Sequence, residues 1–328
     1  MVTAHFNNIR QNILNCLDEA TSEILVAVYW FTNHELFDKL CERKQAGLIV
    51  ELIVHNDFIN NRETGLNFQK FIDLGGEFYF SDSDNPMHNK FCVVDNKTLI
   101  NGSYNWTYFA ENKNSENILT IKEEQQTVSA FRDEFANLKE QLTKVDKVVK
   151  LTKFEVDEFN GLSARDYLAN DIVYEAKATN RPEIIEAAFQ IAPSNIKVQQ
   201  IAVSLNLSKK RKLKYSLGAS VLGDKYLKIV EKGTIIPVTM TSIVVTVEDN
   251  QVSAGSTIYF GENERASKNK AITEMTLNGI PKMPAGQAKM KYIFTIDIYG
   301  KLNMTKYSLD NGRRVTSTAN LINLIEDE

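Results

Sequence analysis

His88 and Lys90 stand two residues apart, Asp95 follows, and after a gap of six residues come Gly102, Ser103 and Asn105. Written as a pattern this is H-x-K-x(4)-D-x(6)-G-S-x-N. On an extended strand, residues two apart share a face, so an imidazole and an ammonium are delivered side by side to one oxyanion, while Phe91 and Val93 turn into the core. Donors from Gly102-Ser103 and Asn105 can reach the same oxygens. Such a group of donors suits the binding of one phosphate-like anion whose charge they share. Asp82 and Asp84 precede Pro86 in the run S-D-S-D-N-P. Two nearby carboxylates suggest a cation, but the composition is first that of a turn.

The elements that must position these residues alternate up to about residue 122. Phe6 to Leu17 has helical periodicity, Ile24 to Trp30 reads as a strand, and Glu35 to Arg43 is helical again before Gly47. Ile49 to Val54 predicts a buried strand, Asn67 to Leu74 a helix closed by Gly75-Gly76, and Phe91 to Val94 another strand. Strand and helix in turn imply an α/β/α sandwich on a mixed sheet. Val128, Phe131, Phe135, Leu138, Leu142, Val145 and Val149 then repeat at helical spacing. This stripe fits equally a cover for the sheet of its own subunit and a coiled-coil-like seam to a second one. Helical patterns continue at Ala164 to Ala178, Pro182 to Ile191 and Ile196 to Leu205, and from Leu213 short β-rich runs separated by Asp-Asn and Asn-Gly turns predict an all-β domain. The expected division is 1–150, a helical connector at 151–208, and 209–328.

Length and composition agree with two folded domains. The chain has 328 residues, 43% hydrophobic and 24% charged, which excludes disordered and low-complexity classes. No apolar run approaches a membrane span and Met1 to Arg10 lacks a secretion-signal core, so a cytoplasmic protein is expected. Cys16, Cys41 and Cys92 form no C-x-x-C pair and read as reduced core residues. Lys and Arg number 15 against 22 Asp and Glu in residues 1–150, and 23 against 20 in residues 151–328. Bulk charge therefore does not announce nucleic-acid binding, and any such substrate needs a local groove, to which Lys90, Lys97 and Lys113 could contribute. The run Lys209-Lys210-Arg211-Lys212 reads as a solvated linker, with nucleic-acid contact as the alternative.

The pattern around His88 resembles the signature of the phospholipase D superfamily. Trp30-Phe31-Thr32-Asn33 and Lys113-Asn114-Ser115-Glu116-Asn117 resemble segments of its single-motif bacterial nucleases, and the resemblance covers about residues 5–142. It implies a metal-independent phosphodiesterase without cofactor, in which His88 forms a phosphohistidine, Lys90 and Asn105 stabilise the phosphate oxygens with Ser103 nearby, and Glu116 fixes the imidazole tautomer. Asp95 and Gly102 are read as structural members of the motif, Asp95 holding the loop after its strand. The mechanism needs two histidines, and none of His5, His34 and His55 has a lysine two residues on. A twofold homodimer with two His88 side chains face to face supplies the second. Nucleic acid is the expected substrate, with a lipid hydrolase or an inactive peptide-binding scaffold as alternatives.

A second resemblance lies at residues 213–314. Ser216-Leu217-Gly218, Ile229 to Pro237, Glu248-Asp249-Asn250-Gln251, Gly261-Glu262, Leu277-Asn278-Gly279-Ile280-Pro281 and Phe294 to Leu302 resemble, in order and spacing, the substrate-binding β-sandwich of the DnaK-type chaperones. The resemblance implies an extended hydrophobic peptide held between two loops. Leu222 and Val247 would arch over it, with Ala219, Val221, Val244, Ala254 and Ser256 lining the site. Valine stands at 221 and 245 where the chaperone pattern usually has hydroxyl residues. With neither ATPase portion nor helical lid in the resemblance, ATP-driven exchange is not expected, and peptide capture would recruit or gate cleavage.

Overall fold

Runs such as Ile24–Val28 and Val50–Val54 have no polar alternation, so they cannot keep one face in water and must become inner strands. The computed structural model describes residues 1–82, 86–152 and 163–328. Its contacts gather into two units, Met1–Ala192 and Pro193–Glu328. The first runs β1 (Val2–His5), α1 (Ile9–Asp18), β2 (Glu23–Val28), α2 (His34–Gln45), β3 (Ile49–His55), α3 (Phe58–Asn61), α4 (Phe68–Asp73), β4 (Glu77–Ser81), β5 (Lys90–Val94), β6 (Thr98–Gly102), α5 (Tyr108–Lys113), β7 (Ile118–Lys122), α6 (Gln125–Glu140), α7 (Ser163–Ala178) and α8 (Ile185–Ile191). The sheet order is β1-β7-β6-β5-β2-β3-β4, parallel from β2 to β4 and antiparallel elsewhere.

Both faces of this sheet are covered. Ile24, Val26, Val28, Cys92 and Val94 pack with α1 and α2, while Leu25, Ala27, Phe91, Val93 and Leu99 pack under Val128 and Phe135 of α6. Phe91 and Val93 are buried as the alternation predicts, and Cys92 and Val94 are buried too, because β5 has no wet face. The three cysteines are free and buried.

The stripe from Val128 to Val149 is not a coiled-coil seam. α6 ends at Glu140, Leu142 still packs under the sheet, and the chain then pairs back through Val145 N–H to the Phe78 carbonyl (2.9 Å). Val149 ends exposed. The stripe covers the sheet of its own subunit. The stretch 151–208 is shared between the units: α7 packs on α5 in the first, and α9 (Ile196–Ser204) belongs to the second.

The second unit continues with β8 (Arg211–Leu213), β9 (Leu217–Val221), β10 (Lys225–Val230), β11 (Ile235–Ile236), β12 (Val238–Val245), β13 (Ser253–Phe260), β14 (Lys270–Asn278), β15 (Lys289–Ile296), β16 (Lys301–Ser308), β17 (Arg314–Asn320) and β18 (Ile325–Asp327). Two four-stranded sheets, β10-β9-β13-β14 and β12-β15-β16-β17, are antiparallel throughout and share a core of Leu217, Ala219, Ile258, Met275, Phe294, Ile296, Leu302 and Met304. This is the all-β sandwich the sequence predicts. The basic run at 209–212 is no linker. Arg211 and Lys212 lie in β8, which pairs with β18, and the run forms ion pairs with Glu326 and Asp327. Opposite charges facing each other across two short strands hold Arg211 and Lys212 in the sheet, while Lys209 and Lys210 stay exposed.

Candidate active site and peptide-binding loops

The first site lies where β2 and β5 end side by side. The β5 ladder begins at Lys90, and Tyr29 N–H donates to the Asn89 carbonyl (3.0 Å), so His88 sits just beyond the strand proper. Its imidazole is exposed and packs on the fully buried Tyr29, ring centroids 4.7 Å apart; His55 stacks on the same tyrosine at 4.6 Å. Lys90 folds back over this ring, its Nζ donating to the His88 carbonyl (2.8 Å) and lying 5.5 Å from the Tyr29 centroid. Burial, then the charges of Lys90 and His55, pull the His88 pKa down and favour the neutral, nucleophilic imidazole. Burial likewise pushes Lys90 down to about 8, against the pull of Glu116.

Gly102 ends β6 where no larger residue fits: a β-carbon there would lie 2.1 Å from the Asn117 carbonyl oxygen. That close approach seats Ser103 on the Lys113–Asn117 segment. Ser103 N–H donates to the Asn117 carbonyl (3.1 Å), its hydroxyl accepts from Asn117 N–H (3.2 Å), and the hydroxyl donates to Glu116. The other Glu116 oxygen accepts from Asn114 Nδ2 (2.8 Å). Asn105 is tied to β2: its Oδ1 accepts from Trp30 N–H (3.2 Å), and the Trp106 carbonyl accepts from both Thr32 N–H and Asn33 N–H. The two segments singled out around the motif thus converge on it.

Asp95 occupies a left-handed backbone position, φ 54°. Its carboxylate accepts from the N–H groups of Thr21, Ser22 and Glu23 and from the Thr21 and Ser22 hydroxyls, at 2.8 to 3.0 Å. Burial acts to raise its pKa, but these donors outweigh it and hold the carboxyl well below the usual range. The residue grips the start of β2 more than the loop after its own strand. Asp84 lies outside the described residues.

Sequence reasoning missed Tyr29, hidden in an apolar run, and the stripe Tyr167, Asp171, Glu175 on α7. Tyr167 packs tilted against Trp30 (ring centroids 4.3 Å apart) and bonds Thr107 Oγ1 (2.5 Å) and the Asn105 side chain; Asp171 accepts from Phe109 N–H (2.8 Å); Glu175 meets His34 (2.9 Å) and Arg62. Their spacing of four, which puts Tyr167, Asp171 and Glu175 on one helix face, was the available signal, diluted by Arg165, Asp166, Asn170 and Lys177 on the same helix.

In the second unit Leu222 stands at the β9–β10 turn and Val247 in the loop joining β12 to β13, 72% and 47% exposed. Gln251 shapes that loop, its Oε1 accepting from Val247 N–H (2.8 Å) and Glu248 N–H (3.3 Å). Ala219 and Ala254 are buried, and Val221, Val244 and Ser256 are half-buried. Val244 packs with both the main core and the smaller cluster of Ala254, Leu277, Ile280, Ala288 and Met290 near these loops.

With this geometry in place, comparison with known proteins gives two matches. Residues 13–139 match the family model described as cardiolipin synthase, PLD-like domain, and residues 211–326 the model of the Hsp70 protein. Curated relatives include the mitochondrial heat shock 70-related protein 1 of Leishmania major, 37% identical over 107 residues, and the chaperone protein DnaK of Halobacterium salinarum, 35% over 103. These alignments take in 32% and 31% of this chain but only 17% and 16% of the relatives. Among solved structures, Nuc of Salmonella typhimurium, a phospholipase D family member, covers 45% of this chain and 99% of its own (24% identity, TM-score 0.42). NucT of Helicobacter pylori covers 44% and 99% (15% identity, TM-score 0.36).

Proposed function

We propose that this chain, which joins a phospholipase D-like domain to an Hsp70-type β-sandwich, is a metal-independent phosphodiesterase acting on nucleic acid, with a peptide-binding second domain. The observation that carries the reading is the pairing of an exposed imidazole, disfavoured as a cation, with a lysine anchored on that histidine's own carbonyl. In the first step a His88 ring nitrogen attacks phosphorus and the bond to the leaving oxygen breaks, that oxygen taking a proton from a second imidazole. Water then attacks phosphorus, the phosphorus–nitrogen bond breaks, and the proton returns to the second imidazole. Lys90 and Asn105 stabilise the equatorial oxygens, and Glu116 with Ser103 fixes the local frame.

The second imidazole comes from a second copy of the chain. His55 is the other imidazole at the Tyr29 ring, but it is 1% exposed and cannot reach a substrate. Mixing His88→Ala chains with active ones to full exchange should therefore give nearly inactive heterodimers. Activity in simple proportion to active chains would remove the shared site.

Nucleic acid is favoured over lipid by the rim of the site. Ser103, Asn112, Lys113, Asn114 and Ser115 are exposed and polar, and among the described residues of 86–117 no large hydrophobic side chain is exposed to receive an acyl chain. The deciding assay offers single- and double-stranded DNA, RNA and phospholipid vesicles in EDTA, with His88→Ala as control. Cleavage of lipid alone, or an active control, would overturn the reading. The exposed Leu222 and Val247 support peptide capture, with capture recruiting or gating cleavage.

A further inference from the structure

Inward rows of a sandwich strand should be apolar, and most of β15 and β16 obeys. Leu302 pairs with Ile296 and Met304 with Phe294, all buried. The next rung breaks the pattern: Lys306 pairs with Tyr292, and Lys306 is 1% exposed. Its Nζ donates to the Ala254 carbonyl (2.9 Å) and to Ser256 Oγ (3.1 Å) on the opposite sheet and lies 5.2 Å from the Tyr292 ring. The Tyr292 hydroxyl bonds the same Ser256 oxygen (2.5 Å), and Ser256 Oγ in turn donates to the Gly255 carbonyl (2.8 Å). No carboxylate of the described residues lies within ion-pair distance of Lys306. Burial alone acts on it, pushing it down to about 8, so at neutral pH it remains largely an ammonium.

A buried charge without a counter-ion is costly, and an apolar side chain of that volume would pack there at less expense. Its place in the fold suggests what offsets the cost. Val244 and Met290 form the adjoining rung, on the side of the β12–β13 loop, and Val244 packs with Ala254, Ile280 and Ala288. Two of the candidate peptide-lining residues, Val244 and Ala254, thus belong to one apolar cluster, and Ser256, half-buried, lies 3.1 Å from the ammonium. Thr246, two residues beyond Val244, is buried with a hydroxyl that has no hydrogen bond among the described residues.

We infer that the subsite between the two loops selects a side chain with an apolar stem and a terminal carboxylate, that of a glutamate in an extended peptide, with Lys306 and Ser256 as its floor. The inference rests on the peptide-binding reading of this domain and names its specificity. The stem fits this apolar cluster, and the carboxylate accepts the Ser256 hydroxyl hydrogen, which turns to it from the Gly255 carbonyl, and so brings to Lys306 the counter-charge that the described residues do not provide.

The test uses the full-length protein and labelled heptapeptides identical except for a central Glu, Gln or Leu, read by fluorescence anisotropy. The Glu peptide should bind about tenfold or more tighter than the Gln peptide. Lys306→Met should abolish that ratio while the Leu peptide binds as well as before or better. Should Lys306→Met fail to fold, Ser256→Ala serves as the second variant and should reduce the same ratio severalfold. Equal binding of Glu and Gln, or a ratio unchanged in the folded variants, overturns the inference and leaves peptide binding standing. Absence of saturable binding for all three peptides removes the peptide-binding reading itself.

Discussion

Lys90 in the first unit and Lys306 in the second are both pushed down to about 8 by burial, yet their surroundings differ in kind. Lys90 is half-buried at an open site, with Glu116 acting on it and an exposed imidazole beside it. Lys306 is sealed between two sheets with neutral acceptors only. A depressed lysine pKa therefore does not identify a role by itself: in the readings proposed above, the first lysine would meet charge that develops during a reaction and the second charge that arrives with a ligand.

The comparison breaks first at the nucleophile. If Lys90 serves an imidazole, His88→Ala should lower turnover in EDTA by about 10⁴-fold while circular dichroism stays unchanged. Retained activity would leave Lys90 without a task. Next, Lys90→Ala should lose about 10²–10³ in rate near neutral pH. Because the ammonium is present below about 8 and lost above it, the ratio of wild-type to variant rates should shrink as pH rises through that value; a constant ratio up to pH 10 would show that charge is not what Lys90 supplies. Lys90→Arg, charged throughout, should lose its own alkaline decline.

On the sandwich side the effects are smaller. Val247→Gln, which puts an amide where an apolar arch residue should bury against peptide, should weaken a peptide the wild type binds by about tenfold in an anisotropy titration. Smallest of all, Lys306→Met should leave the stability of the second unit unchanged or raise it by up to about 2 kcal/mol in urea denaturation, since an uncompensated buried charge is removed. A large loss of stability there would mean that the hydrogen bonds to Ala254 and Ser256 hold the sandwich together.

Much of this was legible in the sequence because strands alternate and motifs keep their spacing. The covered sheet follows from unbroken apolar runs such as Ile24 to Val28, and the antiparallel sandwich from short β-rich runs whose buried residues alternate. What was hidden depends on contacts distant in sequence. Nothing local says that α7 places Tyr167 against Asn105, some sixty residues earlier. The stripe at 128–149 misled because helical spacing continues after the helix has ended, where Val145 is held by pairing with Phe78. Lys306 shows the opposite conflict. Its parity with Leu302 and Met304 places it inside, while its residue type argues for water, and parity prevails because the strand is paired on both sides.

The grip of Asp95 on Thr21, Ser22 and Glu23 has a metrical consequence. β2 and β5 run antiparallel with Ile24 opposite Val94 and Val28 opposite Lys90, so the carboxylate clamps one end of a ribbon whose other end carries Tyr29 and His88. The interval between histidine and aspartate in the motif is then a ruler laid along that ribbon, with its zero mark at Asp95. A slip or insertion of one residue between Lys90 and Asp95 would turn His88 to the opposite face of the sheet. The aspartate of the signature contributes by fixing the count of residues that brings the imidazole to its aromatic seat.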